Sequence, residues 1–302
     1  MNTANYPPPR QPGIAIHASL ILTLAVISTL GTWRAFESEV GLKLTLFILL
    51  AVAAFIPLPI LAYRLSALAR ANYSLDRDTL ALKWGLRVER IPVSDVEWVR
   101  PIADLTSPLP LPWLHLPGSL LGVRHHPDFG PVEFLASNKK KILLVATARR
   151  VFAISPNNPA AFVQDFQRAI EMGSLEAAPA QSVYPTFVIA RAWESTLARY
   201  LWLAGLSLNI GLSIWVSLLI PALPRVPLGF QPSGAPLEPV AGVRLILLPI
   251  LSVFFFIISW LSGLYFYRRE GQRALAFILW AASALTALLF LLAVLFAVTT
   301  PI

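Results

Sequence analysis

Five long runs without a single Asp, Glu, Lys or Arg constrain this chain more than anything else in it: Ile14 to Trp33, in which His17 is the only ionisable group, Leu44 to Tyr63, Tyr200 to Leu223, Leu245 to Tyr267 and Ala274 to Val298. A helix needs roughly 20 mostly apolar residues to cross about 30 Å of hydrocarbon, and every run reaches that length. The bilayer core offers backbone N–H and C=O groups no water, so a segment crossing it alone must satisfy them internally as an α-helix. A large soluble core is a poor alternative, because only 13% of the residues are charged, against about 25% in soluble domains. The expected fold class is therefore an α-helical transmembrane bundle of about five spans. Pro57 and Pro59 are expected to kink the second span. Trp202, Trp215 and the group Trp260, Tyr265, Phe266, Tyr267 sit near run ends, where aromatic rings prefer the interface.

Short loops set the orientation through their Lys and Arg residues. The tightest loop, Arg268 to Arg273, carries Arg268, Arg269 and Arg273 and belongs in the cytoplasm. Counting spans from it puts the polar middle of the chain inside and the end, Thr299 to Ile302, outside. Arg64, Arg70, Arg191 and Arg199 agree, and the loop Arg34 to Lys43 offsets its basic residues with Glu37 and Glu39, as an outside loop tolerates. The Pro-rich start, residues 1–13, is expected to be disordered. The first apolar run is longer than a signal-peptide h-region and lacks an A-x-A-like site, so it is expected to remain as a signal anchor. The chain is therefore expected to be a multi-pass membrane protein with its polar middle in the cytoplasm.

The net charge is +8, but much of the excess flanks the apolar runs, and no basic stripe interleaved with aromatics suggests nucleic acid. Cysteine is absent, which removes disulfides, thiolate nucleophiles and cysteine metal sites.

Between the second and third runs the periodicity changes. Leu80, Leu82 and Trp84 alternate with Ala81 and Lys83, the pattern of a strand with one buried face. Asp76-Arg77-Asp78 reads as a turn from a strand over Asn72 to Leu75. Further extended pieces are expected at Arg87 to Ile91, Val93 to Val99, Val132 to Ala136, Lys141 to Thr147 and Val151 to Ser155. Asn158 and Pro159 then suit the cap and first position of a helix whose stripe is Phe162, Phe166 and Ile170, ending at Gly173. The inserted domain thus spans residues 71–173, with about seven strands and one C-terminal helix. The flanking parts are a two-helix hairpin at 14–64, a linker or juxtamembrane helix at 174–198 and a three-helix bundle at 199–298.

Tyr73-Ser-Leu-Asp-Arg-Asp-Thr-Leu80, Arg90-Ile-Pro-Val-Ser-Asp-Val96, Leu116-Pro-Gly-Ser-Leu-Leu-Gly122, Phe134-Leu-Ala-Ser137 and Ile154-Ser-Pro-Asn-Asn-Pro-Ala-Ala-Phe162 occur in an order that resembles a bacterial pleckstrin-homology-like (PH) domain. The resemblance covers about a third of the chain and implies a curved sheet closed by the helix that follows Ser155-Pro156. Such bacterial domains commonly lack a phosphoinositide pocket. The loop Leu223-Pro-Arg-Val-Pro-Leu-Gly-Phe-Gln-Pro-Ser-Gly234 is similar to a Leu-Pro-x-x-Ile-Pro-x-His-Phe motif of unknown-function and immunity-type membrane proteins, with Gly229 where that motif has His.

Candidate sites are few. Lys139, Lys140 and Lys141 and Arg149 and Arg150 are candidate contacts for anionic lipid or a protein partner, but they flank one strand and cannot form one compact pocket. Trp113, in the apolar loop Leu109 to Leu121, is a candidate for docking on the bilayer surface or bundle, the equal alternative being that the loop folds over the open end of the barrel. His115, His125, His126 and Asp128 carry metal-ligand chemistry, but adjacent histidines point in different directions and the loop reads as an ordinary polar one. His17 and Asn209 are the strongly polar groups within the runs, and helix–helix bonding is the expected role. No nucleotide, nucleophile-elbow, zincin or paired-carboxylate motif appears, so neither cofactor nor catalysis is expected. The expected function is a non-enzymatic scaffold or sensor that presents the PH-like domain to a protein or membrane surface. The alternative is a small transporter or an immunity-type protein acting through the three-helix bundle.

Overall fold

The computed structural model describes residues 3–105, 107–112, 116, 118–173, 180–183, 188–227, 229, 231, 237–269 and 271–299. The chain divides into two compact units, residues 1–26 with 54–185 and residues 27–53 with 186–302.

The first unit is built on two five-stranded sheets. Its strands are β1 (Ala4–Tyr6), β2 (Asn72–Leu75), β3 (Thr79–Trp84), β4 (Arg87–Pro92), β5 (Val96–Pro101), β6 (Leu120–His126), β7 (Gly130–Ala136), β8 (Leu143–Thr147), β9 (Val151–Ile154) and β10 (Gln181–Val183). The sheet orders are β1-β2-β3-β4-β10 and β5-β8-β9-β7-β6, with every pair antiparallel except β7 with β9. Asp76 makes the β2–β3 turn: its Oδ1 accepts the N–H groups of Asp78 (3.0 Å) and Thr79 (2.6 Å). Leu80, Leu82 and Trp84 are buried as the alternation requires. Gly85 turns the chain into β4 at φ +59°, where a Cβ would stand 2.8 Å from that of Ala67.

Helix α4, Pro159–Met172, closes the unit, and the caps match expectation. Asn158 Oδ1 accepts the Ala161 N–H at 3.2 Å, and Gly173 ends the helix at φ +65°. Its buried stripe is Phe162, Phe166 and Ala169 rather than one ending in Ile170, which is 52% exposed. At about 100° per residue, the eighth residue after Phe162 lies about 80° round the helix and the seventh only about 20°, so Ala169 takes the core position.

Three other expectations are corrected, and the expected juxtamembrane helix is joined by a strand. Residues 1–13 are not disordered where described: β1 pairs with β2, and helix α1 (Gln11–Glu37) begins before the apolar run. The histidine loop is largely strand β6. Val93 to Asp95 and Lys139 to Lys141 form 3-10 turns ahead of β5 and β8. In the segment 174–198, Gln181–Val183 adds β10 to the edge of β4 and Val188–Glu194 forms helix α5, the remaining linker positions 174–179 and 184–187 lying outside the described residues.

The PH-like unit therefore starts before the first long helix, with the helical hairpin inserted after its first strand. Helices α2 (Leu42–Phe55) and α3 (Leu58–Ala69) make the second half of that hairpin and break at Ile56 and Pro57, as the prolines require. Ala67 and Leu68 of α3 join the unit's core with Tyr73, Leu80, Leu82, Phe152 and Phe162. Tyr6 packs on that core edge-to-face with Phe162, ring centroids 5.2 Å apart.

The second unit contains α6 (Thr196–Leu219), α7 (Leu247–Tyr267) and α8 (Arg273–Thr299), with α5, the later part of α1 and most of α2. A short ladder, β11 (Arg225–Val226) with β12 (Val240–Ala241), ties down the ends of the loop between α6 and α7. Gly234 lies outside the described residues. Five helical stretches are long and apolar enough to cross a membrane: Gln11–Glu37, Leu42–Ala69, Thr196–Ala222, Gly242–Tyr267 and Arg273–Thr299.

Candidate functional site

The sequence-expected basic residues separate on the PH-like unit. Lys139, Lys140 and Lys141 form the turn between β7 and β8, capped by Asn138 Oδ1 accepting the Lys140 N–H at 2.8 Å. Lys141 is committed locally, its Nζ donating to the Asn157 carbonyl at 3.0 Å. Arg149 and Arg150 follow β8 at its other end. Arg150 Nη1 bonds Glu133 Oε2 at 2.9 Å, which makes it part of an internal ion network rather than a free surface cation. Trp113 and His115 lie outside the described residues.

That ion network went unforeseen. Arg87, 5% exposed on β4, faces Glu133, 3% exposed on β7, through two hydrogen bonds of 2.8 and 3.1 Å. Arg87 also pairs with Glu89 at 2.6 Å and donates to Ser182 Oγ (3.0 Å) and the Val183 carbonyl (3.2 Å). One guanidinium thus joins the two sheets and fastens β10. Burial works against its charge, and the Glu133 and Glu89 carboxylates outweigh it, so the pKa stands above the ordinary arginine value. A second tie runs through buried Tyr73, whose hydroxyl donates to the Leu135 carbonyl (2.5 Å) and accepts the Ser155 N–H (3.3 Å). Tyr73→Phe strands both groups and should cost about 1–3 kcal/mol by chemical denaturation.

The N-terminal strap is held by polar anchors as well as by pairing. Asn157 N–H donates to the Pro7 carbonyl (3.0 Å), Asn72 Nδ2 donates to Asn5 Oδ1 (2.6 Å), and Arg10 Nη2 donates to the Ala71 carbonyl (2.5 Å). The Tyr6 hydroxyl donates to the Asp165 carboxylate. Burial and that carboxylate push the Tyr6 phenol up to about 12. Its raised pKa means that the associated stability is complete below pH about 10, the unfolded value, and is lost as pH rises towards 12. Tyr73 is shifted the same way by burial, so Tyr6→Phe should flatten the alkaline loss of stability without abolishing it, read by denaturation between pH 9 and about 12.

His125 is exposed and His126 is fully buried, and no group of three candidate ligands gathers among the described residues. Ser107, His126 and Asp128 do meet, in an order that differs from a nucleophile triad. The Asp128 N–H donates to His126 Nδ1 at 3.2 Å, which puts the ring proton on Nε2, facing Ser107 Oγ at 3.2 Å. Ser107 in turn donates to Asp128 Oδ2 at 2.7 Å. Nε2 is thus a donor with no lone pair to take the serine proton, and the ring pins the β6–β7 turn. His126 also stacks on Phe129 at 4.7 Å.

In the second unit, the polar groups satisfy one another between helices. Asn209 Nδ2 donates to the Gly205 carbonyl (2.8 Å), and Ser252 Oγ of α7 donates to Asn209 Oδ1 (2.8 Å). Ser217 Oγ donates to the Ser213 carbonyl at 2.6 Å and is hydrogen-bonded to Thr45 of α2. In the first unit, His17 bonds within its own helix rather than across helices: Nδ1 donates to the Gly13 carbonyl at 2.8 Å, and the buried Nε2 has no partner among the described residues. The Asn209–Ser252 and Ser217–Thr45 bonds act as glue within an apolar setting, so Asn209→Leu should destabilise the purified protein by about 1 kcal/mol in micelles. At one end of α6, α7 and α8, Trp202 meets Trp260 and Trp280 at 5.5 and 5.1 Å, with Tyr267 5.7 Å from Trp280. Arg269 lies over Tyr265 (4.6 Å) and Arg273 over Tyr267 (5.4 Å), while Arg268 is exposed. This layer of basic and aromatic side chains is what a membrane–water boundary favours.

One cleft of about 310 Å³ opens on the PH-like unit. Its walls are Pro9, Pro12 and Gly13 on one side, Leu116, Gly118 and Leu120 on another, and Ser137, Asn138 and Lys139 on the third.

No curated protein and no solved structure matches the chain. The family model described as Bacterial PH domain matches residues 71–170, from the residue before β2 into the last turn of α4. The chain therefore contains a PH-type domain of the bacterial family at residues 71–170, which β1 and β10 extend from outside the matched segment.

Proposed function

We propose that this is a non-enzymatic integral membrane protein of the bacterial inner membrane that presents its PH-like domain at the cytoplasmic face, where the domain binds a protein partner or the membrane surface as a scaffold or sensor. The observation that carries the reading is the weaving of the flanking segments into the domain: β1 precedes the first long helix and β10 precedes α5 and α6. A domain built around its own tethers stays beside the bilayer, and tethering raises the effective concentration of whatever it binds there. Arg268, Arg269 and Arg273 support a cytoplasmic domain and an external C-terminus. The satisfied hydrogen bonds of Asn209, Ser213, Ser217 and Ser252 fit packing better than an ion path, which favours the domain over the bundle as the working part.

A photo-crosslinking side chain in the full chain tests this directly. Placed at Leu86 or Val123, exposed apolar positions on the domain, it should capture a protein or a phospholipid in intact membranes. Capture confined to positions on α6, α7 and α8 would contradict the reading.

A further inference from the structure

We propose that the groove between the free edge of β2 and helix α4 is a recognition site for an extended, tyrosine-bearing segment of a partner protein, and that the chain's own residues 4–10 fill it in cis as a displaceable occupant. The proposal rests on the reading of the domain as a protein binder and names the surface, the chemistry of the partner and the control on access.

The groove is complete without its occupant. The family match begins at residue 71, and β2 is already paired with β3 on its other side, with Tyr73 and Leu75 in the core. Taking β1 away leaves a bare strand edge, whose unpaired N–H and C=O groups are a template for an added strand. The present occupant shows what fits there. Ala4, Asn5 and Tyr6 lie opposite Leu75, Ser74 and Tyr73 in antiparallel register. The Tyr6 ring meets Phe162 edge-to-face, and its hydroxyl donates to Asp165 Oδ2, while Asp165 Oδ1 is held by Arg168 Nη1 at 2.9 Å. A carboxylate fixed in that way accepts a phenol and gains nothing from phenylalanine. Asn72 supplies a side-chain amide for a polar residue before the aromatic one, and the Asn157 N–H donates to the carbonyl of the residue after it. That residue is Pro7, which has no N–H left to satisfy. The groove thus selects a polar residue, tyrosine and proline in that order on an extended backbone.

The occupant is built to leave. It is a strand of three residues at the edge of its sheet, and short edge elements open locally at low cost. Its attachment to the domain gives it a high effective concentration, so a segment arriving in trans must compete with it. The same attachment confines it to its own groove. Five residue steps separate Tyr6 from Gln11, where α1 begins, a reach of at most about 18 Å. A second copy lends its strand only if its own first helix comes that close, whereas a partner's segment carries no such restriction.

The test uses the full chain purified in detergent and a fluorescein-labelled peptide of the sequence Thr3 to Arg10, followed by anisotropy. Asn5→Cys with Ser74→Cys, register partners in a chain without native cysteine, lets oxidation lock the strap and reduction free it. The reduced form should bind the peptide about tenfold more tightly than the oxidised form, or better. Tyr6→Ala, which weakens the occupant and leaves the groove intact, should likewise bind it about tenfold more tightly than the unaltered chain. On that variant the peptide should bind about fivefold more tightly than one with phenylalanine in place of its tyrosine, and adding Asp165→Ala should remove the preference. Equal binding, or none, by the oxidised and reduced forms overturns the proposal, as does a preference for tyrosine that survives Asp165→Ala. A disulfide between chains carrying Asn5→Cys and Ser74→Cys separately, expressed together, assigns the groove to strand exchange between copies and overturns it too. Any of these results with crosslinking from Leu86 or Val123 intact removes the groove while leaving the broader function standing.

Discussion

Removing the helical hairpin and joining residue 10 to residue 71 through a short Gly-Ser linker should leave a domain ending at residue 183 that still folds, at reduced stability because Ala67 and Leu68 leave its core. The same sequence cut at the conventional limits, 71–173, should be far less stable. The two hairpin ends leave the domain side by side, since Arg10 reaches the Ala71 carbonyl at 2.5 Å, so a few residues suffice to bridge them. The shorter piece loses β1 and β10 together and exposes both edges of the sheet built on β2, β3 and β4. It also loses Tyr6 from the Phe162 face and the hydrogen bonds to Asp165, Asn72, Ala71 and Asn157. One partly buried aromatic and a few net hydrogen bonds amount to about 3–5 kcal/mol. Total stabilities of about 5–15 kcal/mol leave little after such a loss. Urea denaturation of the two proteins gives the comparison, and equal midpoints would show that the strap contributes nothing.

Glu133→Ala should be the most damaging single change on the domain, at about 3–5 kcal/mol. It leaves Arg87 buried with Glu89 as its remaining ion partner and frees Arg150. Replacing Arg87 and Glu133 together by leucine should cost much less than the sum of the single changes, because neither charge is then left buried alone. The single variant should also loosen β10, since Arg87 is what fastens Ser182 and Val183. Proteolysis near residue 183 should therefore rise in Glu133→Ala before global unfolding does. A Glu133→Ala protein with wild-type stability and an intact linker would mean that the network is ornamental to the fold.

Features generated by local rules were legible in the sequence. The apolar runs, the break at Pro57, the β2–β3 turn at Asp76 and both caps of α4 depend on residues within a few positions of each other. The order of loose motifs also sufficed for the PH-type resemblance over residues 71–170. What escaped depends on distance or brevity. β1 is a three-residue strand among prolines, too short to show a period, and it gains its meaning only from β2 some 67 positions later, as the Asn5–Asn72 bond records. β6 was hidden because its ends are buried and most of its middle is not, a pattern without alternation. Arg87 and Glu133 are 46 positions apart, and nothing local distinguishes them from surface charges. The basic clusters were visible as charge but not as chemistry. Only the folded turn separates Lys139, beside a cleft, from Lys141, which is used internally.

The topology of the PH-like domain is the central claim, and the absence of native cysteine makes it directly measurable. Single cysteines at Thr3, Asp95, Glu39 and Glu238, all exposed, can be labelled with a membrane-impermeant maleimide in right-side-out and inverted vesicles. Thr3→Cys and Asp95→Cys should react only in inverted vesicles, because β1 pairs with β2 of the domain and the proposed orientation puts both in the cytoplasm. Glu39→Cys and Glu238→Cys should react only in right-side-out vesicles. Labelling of Thr3→Cys and Asp95→Cys from opposite faces, or of Asp95→Cys from outside, would contradict the account.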